Sequence, residues 1–153
     1  MKLVLNDGGR ANAGYKGTTG DCVVRSIAIV TEKPYQEVYN ALNDMAKCER
    51  PRKGRNKSSA RNGVKRATIR RYLESLALKW TPCMGIGTGC RVHLVDDELP
   101  MGRLVVSLSK HLTAVINGVI HDTYDPQRAT IICENGIQRI AHRCVYGYWN
   151  TDG

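Results

Sequence analysis

The chain has 153 residues, of which 42% are hydrophobic, and its formal net charge is +9. This length predicts one domain with a sizeable core, and the hydrophobic content excludes a disordered chain. No run approaches the ~18 apolar residues of a membrane span, and the apolar run near the N-terminus, at residues 3–5, is too short for a signal peptide. We therefore expect a cytoplasmic protein, of a bacterium or a phage-infected host, without membrane contact. Its six cysteines should be reduced thiols rather than three disulfides.

The first half of the chain predicts helices. Residues 6–20 are rich in Gly, Asn and Thr, which is typical of a loop. An apolar run then predicts a buried helix over about 22–31 with Asp21 as its cap, although its β-branched content also allows a strand. Amphipathic spacing predicts two more helices, over about 34–47 and 64–77.

One basic segment, residues 47–71, carries the whole charge imbalance. It holds eleven Lys/Arg and a single acid, Glu49, for a net of +10, whereas the rest of the chain has a net of −1. Residues 48–63 lack apolar periodicity and predict a long loop. Such cations suit phosphates or an acidic protein partner, and a merely solvated surface is the alternative. The candidate polyanion-binding residues are Arg50, Arg52, Lys53, Arg55, Lys57, Arg61, Lys65, Arg66 and Arg70.

The second half of the chain predicts strands and two hairpins. Asn117-Gly118 and Asn135-Gly136 each separate two short apolar runs, which is the strongest short-range indication of a hairpin. Helices followed by strands predict an α+β fold in which N-terminal helices pack on a C-terminal antiparallel β-sheet. The predicted strands cover about 104–109, 112–116, 119–121, 131–133, 137–140 and 143–149.

Three residues predict a nucleophilic site. Cys22 opens a helix, where backbone N–H groups and the helix dipole favour a thiolate. His111 begins a strand and is the candidate base, which needs an acceptor to orient it. With Asn117-Gly118 as the turn, residue 124 lies opposite His111 and Asp122 lies one diagonal step away. Asp125 is the competing acceptor.

These motifs resemble the papain-like cysteine peptidase superfamily. The matching residues are Gly20-Asp21-Cys22 at a helix start and the run from His111 to Asp122, and the stretch DCVVRSIAIVTEKPYQEVYNAL is similar to small papain-like domains of bacterial and phage origin. The resemblance covers about residues 22–125. It implies a papain-like fold in which Cys22 is the nucleophile, His111 the base and Asp122 its orienting partner.

The sequence departs from papain at the oxyanion hole. Lys16 stands where papain has a glutamine, and no glutamine precedes Cys22. The backbone N–H of Cys22 would then act with a side-chain donor from Asn12, Thr18 or Thr19.

Two further patterns are interpreted as structural. Cys83, Cys90 and His93 lack the tight cysteine pairing of zinc sites, even with His142 and Cys144 as added ligands, so we expect no metal and no cofactor. The run Gly85-Ile-Gly-Thr-Gly89 lacks the Lys-Ser/Thr of a phosphate-binding loop and predicts a flexible loop bordering the cleft.

Two hypotheses of function follow. The first is a small cysteine-dependent hydrolase that cleaves a peptide or isopeptide bond in a narrow range of protein or peptide substrates. The second is a catalytically weak papain-like module, possessed by a phage or mobile element, that binds nucleic acid or an acidic protein through residues 47–71.

Overall fold

A computed structural model of the chain describes residues 1–17 and 19–151. It has a mixed α+β fold, which confirms the predicted class at this level. The helices in the described ranges are α1 (Cys22–Thr31), α2 (Tyr35–Ala46) and α3 (Arg66–Ser75). The strands are β1 (Lys2–Leu5), β2 (Lys79–Pro82), β3 (Arg103–Leu108), β4 (His111–Ile116), β5 (Val119–Asp122), β6 (Thr130–Glu134), β7 (Ile137–Ala141) and β8 (Gly147–Asn150).

Six of the strands form one mostly antiparallel sheet in the order β1-β5-β4-β3-β8-β2. Among the described strands, the one parallel pair joins β1, at the N-terminus, to β5, and this pairing was not predicted. Sequence reasoning missed β1 and β2 because both are four-residue edge strands without strong apolar alternation. The predicted closing strand starts later than expected, at Gly147, since Val145 hydrogen-bonds instead to the backbone of Val92.

The second predicted hairpin forms a separate two-stranded sheet of β6 and β7. Its isoleucines are largely exposed, and Ile131 pairs directly with Ile140 across the two strands. The hairpin therefore stands outside both hydrophobic cores.

Each face of the six-stranded sheet borders its own apolar core. On one face Val105, Ala114 and Trp149 pack with buried residues of all three helices. On the other face Val106 and Val115 pack with apolar residues outside the helices. Because β3 is buried on both faces, its sequence is apolar without clear alternation.

Helix α1 occupies the predicted range and is buried over almost its whole length. Its C-terminal end is bound to the sheet by Arg103, which donates hydrogen bonds to the carbonyl oxygens of Val30 (2.7 Å) and Ile29 (2.5 Å). Asp21 occupies the N-cap position but its carboxylate makes no capping hydrogen bond, so that prediction was wrong. No helix among residues 1–17 and 19–151 is both long and apolar enough to cross a membrane.

Candidate functional site

The β4–β5 hairpin brings His111 and Asp122 together. Its register pairs Ala114 with His121 and Ile116 with Val119, as the Asn117-Gly118 turn predicted. His111 and Asp122 are both buried, and Nε2 of His111 lies 2.7 Å from Oδ2 of Asp122.

Asp125, the competing acceptor, is exposed. Its carboxylate accepts hydrogen bonds from the backbone N–H of Gln127 (2.9 Å) and from the side-chain amide of the same residue (3.1 Å). The carboxylate partner of His111 is therefore Asp122, whereas Asp125 binds Gln127 within a local turn.

Asp122 is held at both carboxylate oxygens. Oδ2 also accepts a hydrogen bond from the hydroxyl of Thr113 at 2.7 Å, and Oδ1 accepts one from the backbone N–H of Thr123 at 2.7 Å. Arg25 of α1 approaches Oδ1 to 3.6 Å. Burial raises the pKa of Asp122, but hydrogen bonds from His111 and Thr113 outweigh it and the pKa is lowered. The side chain is therefore a fixed carboxylate.

Cys22 is the first residue of α1 and its thiol is half-buried beside His111. Burial raises the pKa of Cys22, whereas a hydrogen bond with His111, the backbone N–H of Leu112 and the charge of Arg25 lower it, and the net shift is downward. Burial lowers the pKa of His111, but the hydrogen bonds with Asp122 and Cys22 outweigh it, so that pKa is raised. These opposite shifts favour a thiolate next to an imidazolium.

A buried ionic network fixes the residue before Cys22. Asp21 is fully buried, and its Oδ1 accepts hydrogen bonds from Arg10 (3.2 Å) and Arg25 (3.1 Å). Its Oδ2 accepts one from the hydroxyl of Tyr35 at 2.6 Å. Arg25 therefore bridges Asp21 and Asp122, so that one guanidinium connects both sides of the site.

Close backbone packing also defines the approach to Cys22. A Cβ atom at Gly20 would lie 2.8 Å from the carbonyl oxygen of Asn62. Arg61 donates a hydrogen bond to the carbonyl oxygen of Lys16 at 2.9 Å. The stretch before Cys22 thus contacts the basic segment at Lys16 and at Gly20, and there is no space for a side chain at Gly20.

The three candidate oxyanion donors differ in position. Asn12 is exposed in a turn, and Thr18 lies outside the described residues. The hydroxyl of Thr19 is buried and has no hydrogen-bond partner within the described part of the chain. A buried hydroxyl without a partner is unusual, and this one stands three residues before Cys22.

Sequence reasoning missed three residues of the site: Arg25, Thr113 and Tyr124. The hydroxyl of Tyr124 lies 3.2 Å from Nδ1 of His111. The hairpin register already placed residue 124 opposite His111, and Thr113 follows two residues after His111 on the same face of the strand. Arg25 stands four residues after Asp21, which is the spacing of a helical ion pair. These patterns could have found all three.

The nine basic candidates fall into separate groups. Arg50, Arg52, Lys53, Arg55 and Lys57 are exposed on the loop, and among the described residues none of them has a carboxylate within 4.0 Å. Arg61 and Lys65 have internal partners, since Lys65 lies 3.6 Å from Glu49. Arg66 and Arg70 lie on α3.

Glu49 anchors the exposed loop. Its Oε1 accepts a hydrogen bond from the backbone N–H of Ser58 at 2.8 Å, and its Oε2 accepts one from the hydroxyl of Thr68. Burial raises the pKa of Glu49, but these hydrogen bonds and the charge of Lys65 lower it to about 2. The single acid of the basic segment thus joins the loop to α3.

Two of the six cysteines form a disulfide, Cys90–Cys144. The prediction that all six are reduced thiols was therefore wrong for this pair. A β-bridge between His93 and Cys144 brings the two segments together. Because Cys90 and Cys144 are 54 residues apart in the sequence, local spacing could not predict their pairing. Across residues 1–17 and 19–151 no three His, Cys, Asp or Glu side chains converge as a metal site.

Comparison with known protein-family models, curated proteins and solved structures found no match to this chain.

Proposed function

We propose that the protein is a cysteine-dependent hydrolase of papain-like type that cleaves an amide bond, peptide or isopeptide, in a polypeptide substrate. The observation that carries this proposal is the position of His111, whose Nε2 lies 2.7 Å from Oδ2 of Asp122 and whose hydrogen bonding and charge lower the pKa of the half-buried Cys22 thiol. A nucleophile, a base and an orienting carboxylate in one chain of contacts are the elements of a catalytic triad.

Each group has a role in the reaction. The Cys22 thiolate attacks the carbonyl carbon, and the imidazolium of His111 donates its proton to the leaving amine, so that a thioester forms as the C–N bond breaks. Because Nε2 of His111 binds Asp122, proton transfer is assigned to Nδ1, which the hydroxyl of Tyr124 also approaches to 3.2 Å. His111 then takes a proton from water, which hydrolyses the thioester and regenerates the thiolate.

The oxyanion of the tetrahedral intermediate needs two donors. The backbone N–H of Cys22 belongs to the first turn of α1, where N–H groups lack helical partners. The buried hydroxyl of Thr19 is the second donor in this proposal, because it has no partner of its own among residues 1–17 and 19–151.

The order of the elements supports a papain-like assignment. The nucleophile begins a buried helix, and the base and its acceptor follow on two adjacent antiparallel strands, β4 and β5. Arg103 holds the far end of α1 against β3, so the N-terminal end of the helix faces the start of β4. This arrangement is the one that the resemblance of the sequence implies.

Site-resolved alkylation tests the proposal. Iodoacetamide would be applied at about pH 6 and pH 8, and each cysteine would be quantified by peptide mass spectrometry. Because a lowered pKa keeps Cys22 partly ionised at the lower pH, we expect it to react about tenfold faster there than an ordinary thiol. Cys48 and Cys133 are exposed free thiols of the same molecule and serve as internal references.

Slow alkylation of Cys22 at the lower pH, no faster than Cys48 or Cys133, would contradict an activated nucleophile. A Thr19→Val variant then separates nucleophile from oxyanion hole. It should leave alkylation unchanged, since alkylation has no oxyanion, and slow the hydrolysis of an amide or thioester substrate about tenfold or more.

A second candidate function is polyanion binding by the exposed loop. The five cations Arg50, Arg52, Lys53, Arg55 and Lys57 face solvent, and no described carboxylate lies within 4.0 Å of them. Unpaired cations at this density favour contact with phosphates or with an acidic protein surface.

Elution from heparin at increasing salt tests this function. The fourfold variant Arg52→Ala, Lys53→Ala, Arg55→Ala, Lys57→Ala should lose retention. The variant Lys33→Ala, at a lysine outside the basic segment that pairs with Glu37, should keep it.

A further inference from the structure

A cavity of about 710 Å³ is lined by residues of α3 and of strands β2, β3, β4 and β8. Leu112, the residue after His111 on β4, is one of these lining residues. Leu112 and Cys22 also pack against the same core cluster. The cavity and Cys22 therefore lie on the same face of the sheet, and Leu112 belongs both to the cavity lining and to the core beside Cys22.

Two tryptophans form the floor of the cavity. The rings of Trp80 and Trp149 have centroids 5.2 Å apart and are tilted by 46°. Gly147, on β8, makes this possible, because a Cβ atom there would lie 2.3 Å from the ring of Trp80. The indole thus lies across the strand in place of a side chain. A broad aromatic floor of this kind suits a bulky apolar group.

Apolar residues complete the walls. Ile69 of α3 faces the cavity on one side, and Met84 and Ile86 border it on the other. The hydroxyl of Thr88 donates to the carbonyl oxygen of Gly85 at 3.0 Å and accepts from the N–H of the same residue at 2.9 Å, which closes the glycine-rich loop into a turn. Gly85 and Ile86 of this loop line the cavity.

The rim of the cavity on the α3 side is positively charged. Arg66 and Arg70 are exposed, stand one helical turn apart and both line the cavity. Arg70 also lies 3.5 Å from Glu74, whereas in the described part of the chain no carboxylate lies within 4.0 Å of Arg66. No acidic residue lines the cavity. The wall thus has an uncompensated guanidinium above an aromatic floor, which favours an anionic group on the ligand.

We propose that this cavity binds a polypeptide substrate through a bulky apolar side chain placed on Trp80 and Trp149 and a neighbouring carboxylate bound by Arg66. The substrate class is therefore an acidic-apolar peptide segment. This inference rests on the proposed hydrolase function, since Leu112 lines the cavity and packs with Cys22 against the same core cluster.

Intrinsic fluorescence provides a direct test, because Trp80 and Trp149 are the two tryptophans of the chain and both line the cavity. The full-length protein would be titrated with acetyl-Glu-Leu-amide, which does not absorb where tryptophan does. Acetyl-Gln-Leu-amide and acetyl-Glu-Gly-amide are the matched ligands that lack the carboxylate and the apolar side chain. We expect a saturable change in tryptophan fluorescence with acetyl-Glu-Leu-amide, and its half-saturating concentration should be about fivefold lower than that of either other peptide.

Variants on α3 identify the cation. Arg66→Gln should abolish the preference for Glu over Gln, and Arg71→Gln, an exposed arginine of the same helix that does not line the cavity, should retain it. Equal affinities for the three peptides, absence of any saturable change, or equal effects of the two variants would overturn the inference. Neither readout requires turnover. Failure of the hydrolase proposal would appear instead as slow alkylation of Cys22 near pH 6, with the fluorescence titration unaffected.

Discussion

The two charged regions of this protein, the Cys22 site and the basic loop over residues 50–57, are built on opposite principles. In the site, Asp21, Arg25 and Asp122 are buried and each pairs with another. In the loop, the cations are exposed, and Glu49 anchors the end of the loop by accepting a hydrogen bond from the backbone N–H of Ser58. Charge is thus placed by contacts in one region and left to solvent in the other.

The difference predicts how each region responds to substitution. A buried ion whose partner is removed stays desolvated and unpaired, which costs several kcal/mol. An exposed ion keeps its water whether or not a partner is present, so its removal changes stability little. Changes in the site should therefore alter stability and reactivity together, whereas changes in the loop should alter only long-range attraction.

The largest effect is expected from Asp122→Ala. This change leaves His111 and Thr113 without their carboxylate and removes one of the two anions next to Arg25. We expect a loss of about 3–5 kcal/mol in the free energy of unfolding, measured by urea denaturation, together with slower alkylation of Cys22 near pH 6.

The matched control is Asp125→Ala, which removes an exposed carboxylate three residues away. It should change the free energy of unfolding by no more than about 0.5 kcal/mol. Similar losses for the two variants would refute the contrast between buried and exposed carboxylates. Asp122→Asn separates charge from shape, since the amide retains an acceptor for Thr113 but lacks the charge that favours the imidazolium.

The next effect concerns the pH dependence of Cys22. Its pKa lies below the ordinary value of 9.0, and that of His111 lies above 6.5. Thiolate therefore persists as the pH falls below the range of a free thiol. The proposed amide hydrolysis, which would need protonated His111, should decline as the pH rises through the raised pKa of His111. We therefore expect a bell-shaped dependence of the rate on pH, which rises as Cys22 ionises and falls as His111 loses its proton.

His111→Ala removes the hydrogen bond that lowers the pKa of Cys22 and leaves the burial that raises it. The alkylation midpoint should move to higher pH, and the rate near pH 6 should fall about tenfold for each unit of that movement. His121→Ala, at the neighbouring half-buried histidine, should leave the profile in place. A midpoint unchanged by His111→Ala would show that the imidazole does not ionise the thiol.

A smaller effect is expected at the anchor of the loop. Glu49→Gln should lower the free energy of unfolding by about 1–3 kcal/mol at neutral pH, because the carboxylate accepts hydrogen bonds from Ser58 and Thr68. The folded pKa of Glu49, about 2, lies below the ordinary value of 4.5. Its stabilisation is therefore complete above pH 4.5 and is lost as the pH falls toward 2.

Urea denaturation at neutral pH and near pH 3 measures this dependence, and the difference between wild type and Glu49→Gln should shrink at the lower pH. Asp44→Asn is the control, since its ion pair with Lys47 is exposed at both side chains. A difference that is independent of pH would assign the effect of Glu49 to packing alone.

The smallest effect on stability is expected from the fourfold alanine variant of Arg52, Lys53, Arg55 and Lys57. All four side chains are exposed, so thermal unfolding should shift only slightly, by the equivalent of about 0.5 kcal/mol or less for each. A large loss in the free energy of unfolding would contradict this prediction, because it would mean that these four side chains stabilise the fold. The same preparation then serves in the heparin test with its fold intact.

The sequence predicted the local helices and hairpins better than it predicted which distant segments pair with one another. The range of α1, the hairpin register at Asn117-Gly118 and the proximity of His111 to Asp122 all follow from spacing over short distances. The parallel pairing of β1 with β5 and the disulfide between Cys90 and Cys144 join residues that are distant in the chain. Local periodicity contains no information about such pairs.

By itself, the amino-acid sequence determined that Cys22 begins a helix, that His111 and Asp122 share a hairpin, and that positive charge is concentrated in residues 47–71. These features depend on helical periodicity, turn chemistry and composition, which act over a few residues. Only the tertiary structure decided that Arg25 bridges Asp21 and Asp122, and that Leu112 belongs both to the core beside Cys22 and to a cavity lined by two tryptophans. Those contacts depend on how α1 and α3 pack on the sheet, and packing is a property of the whole chain.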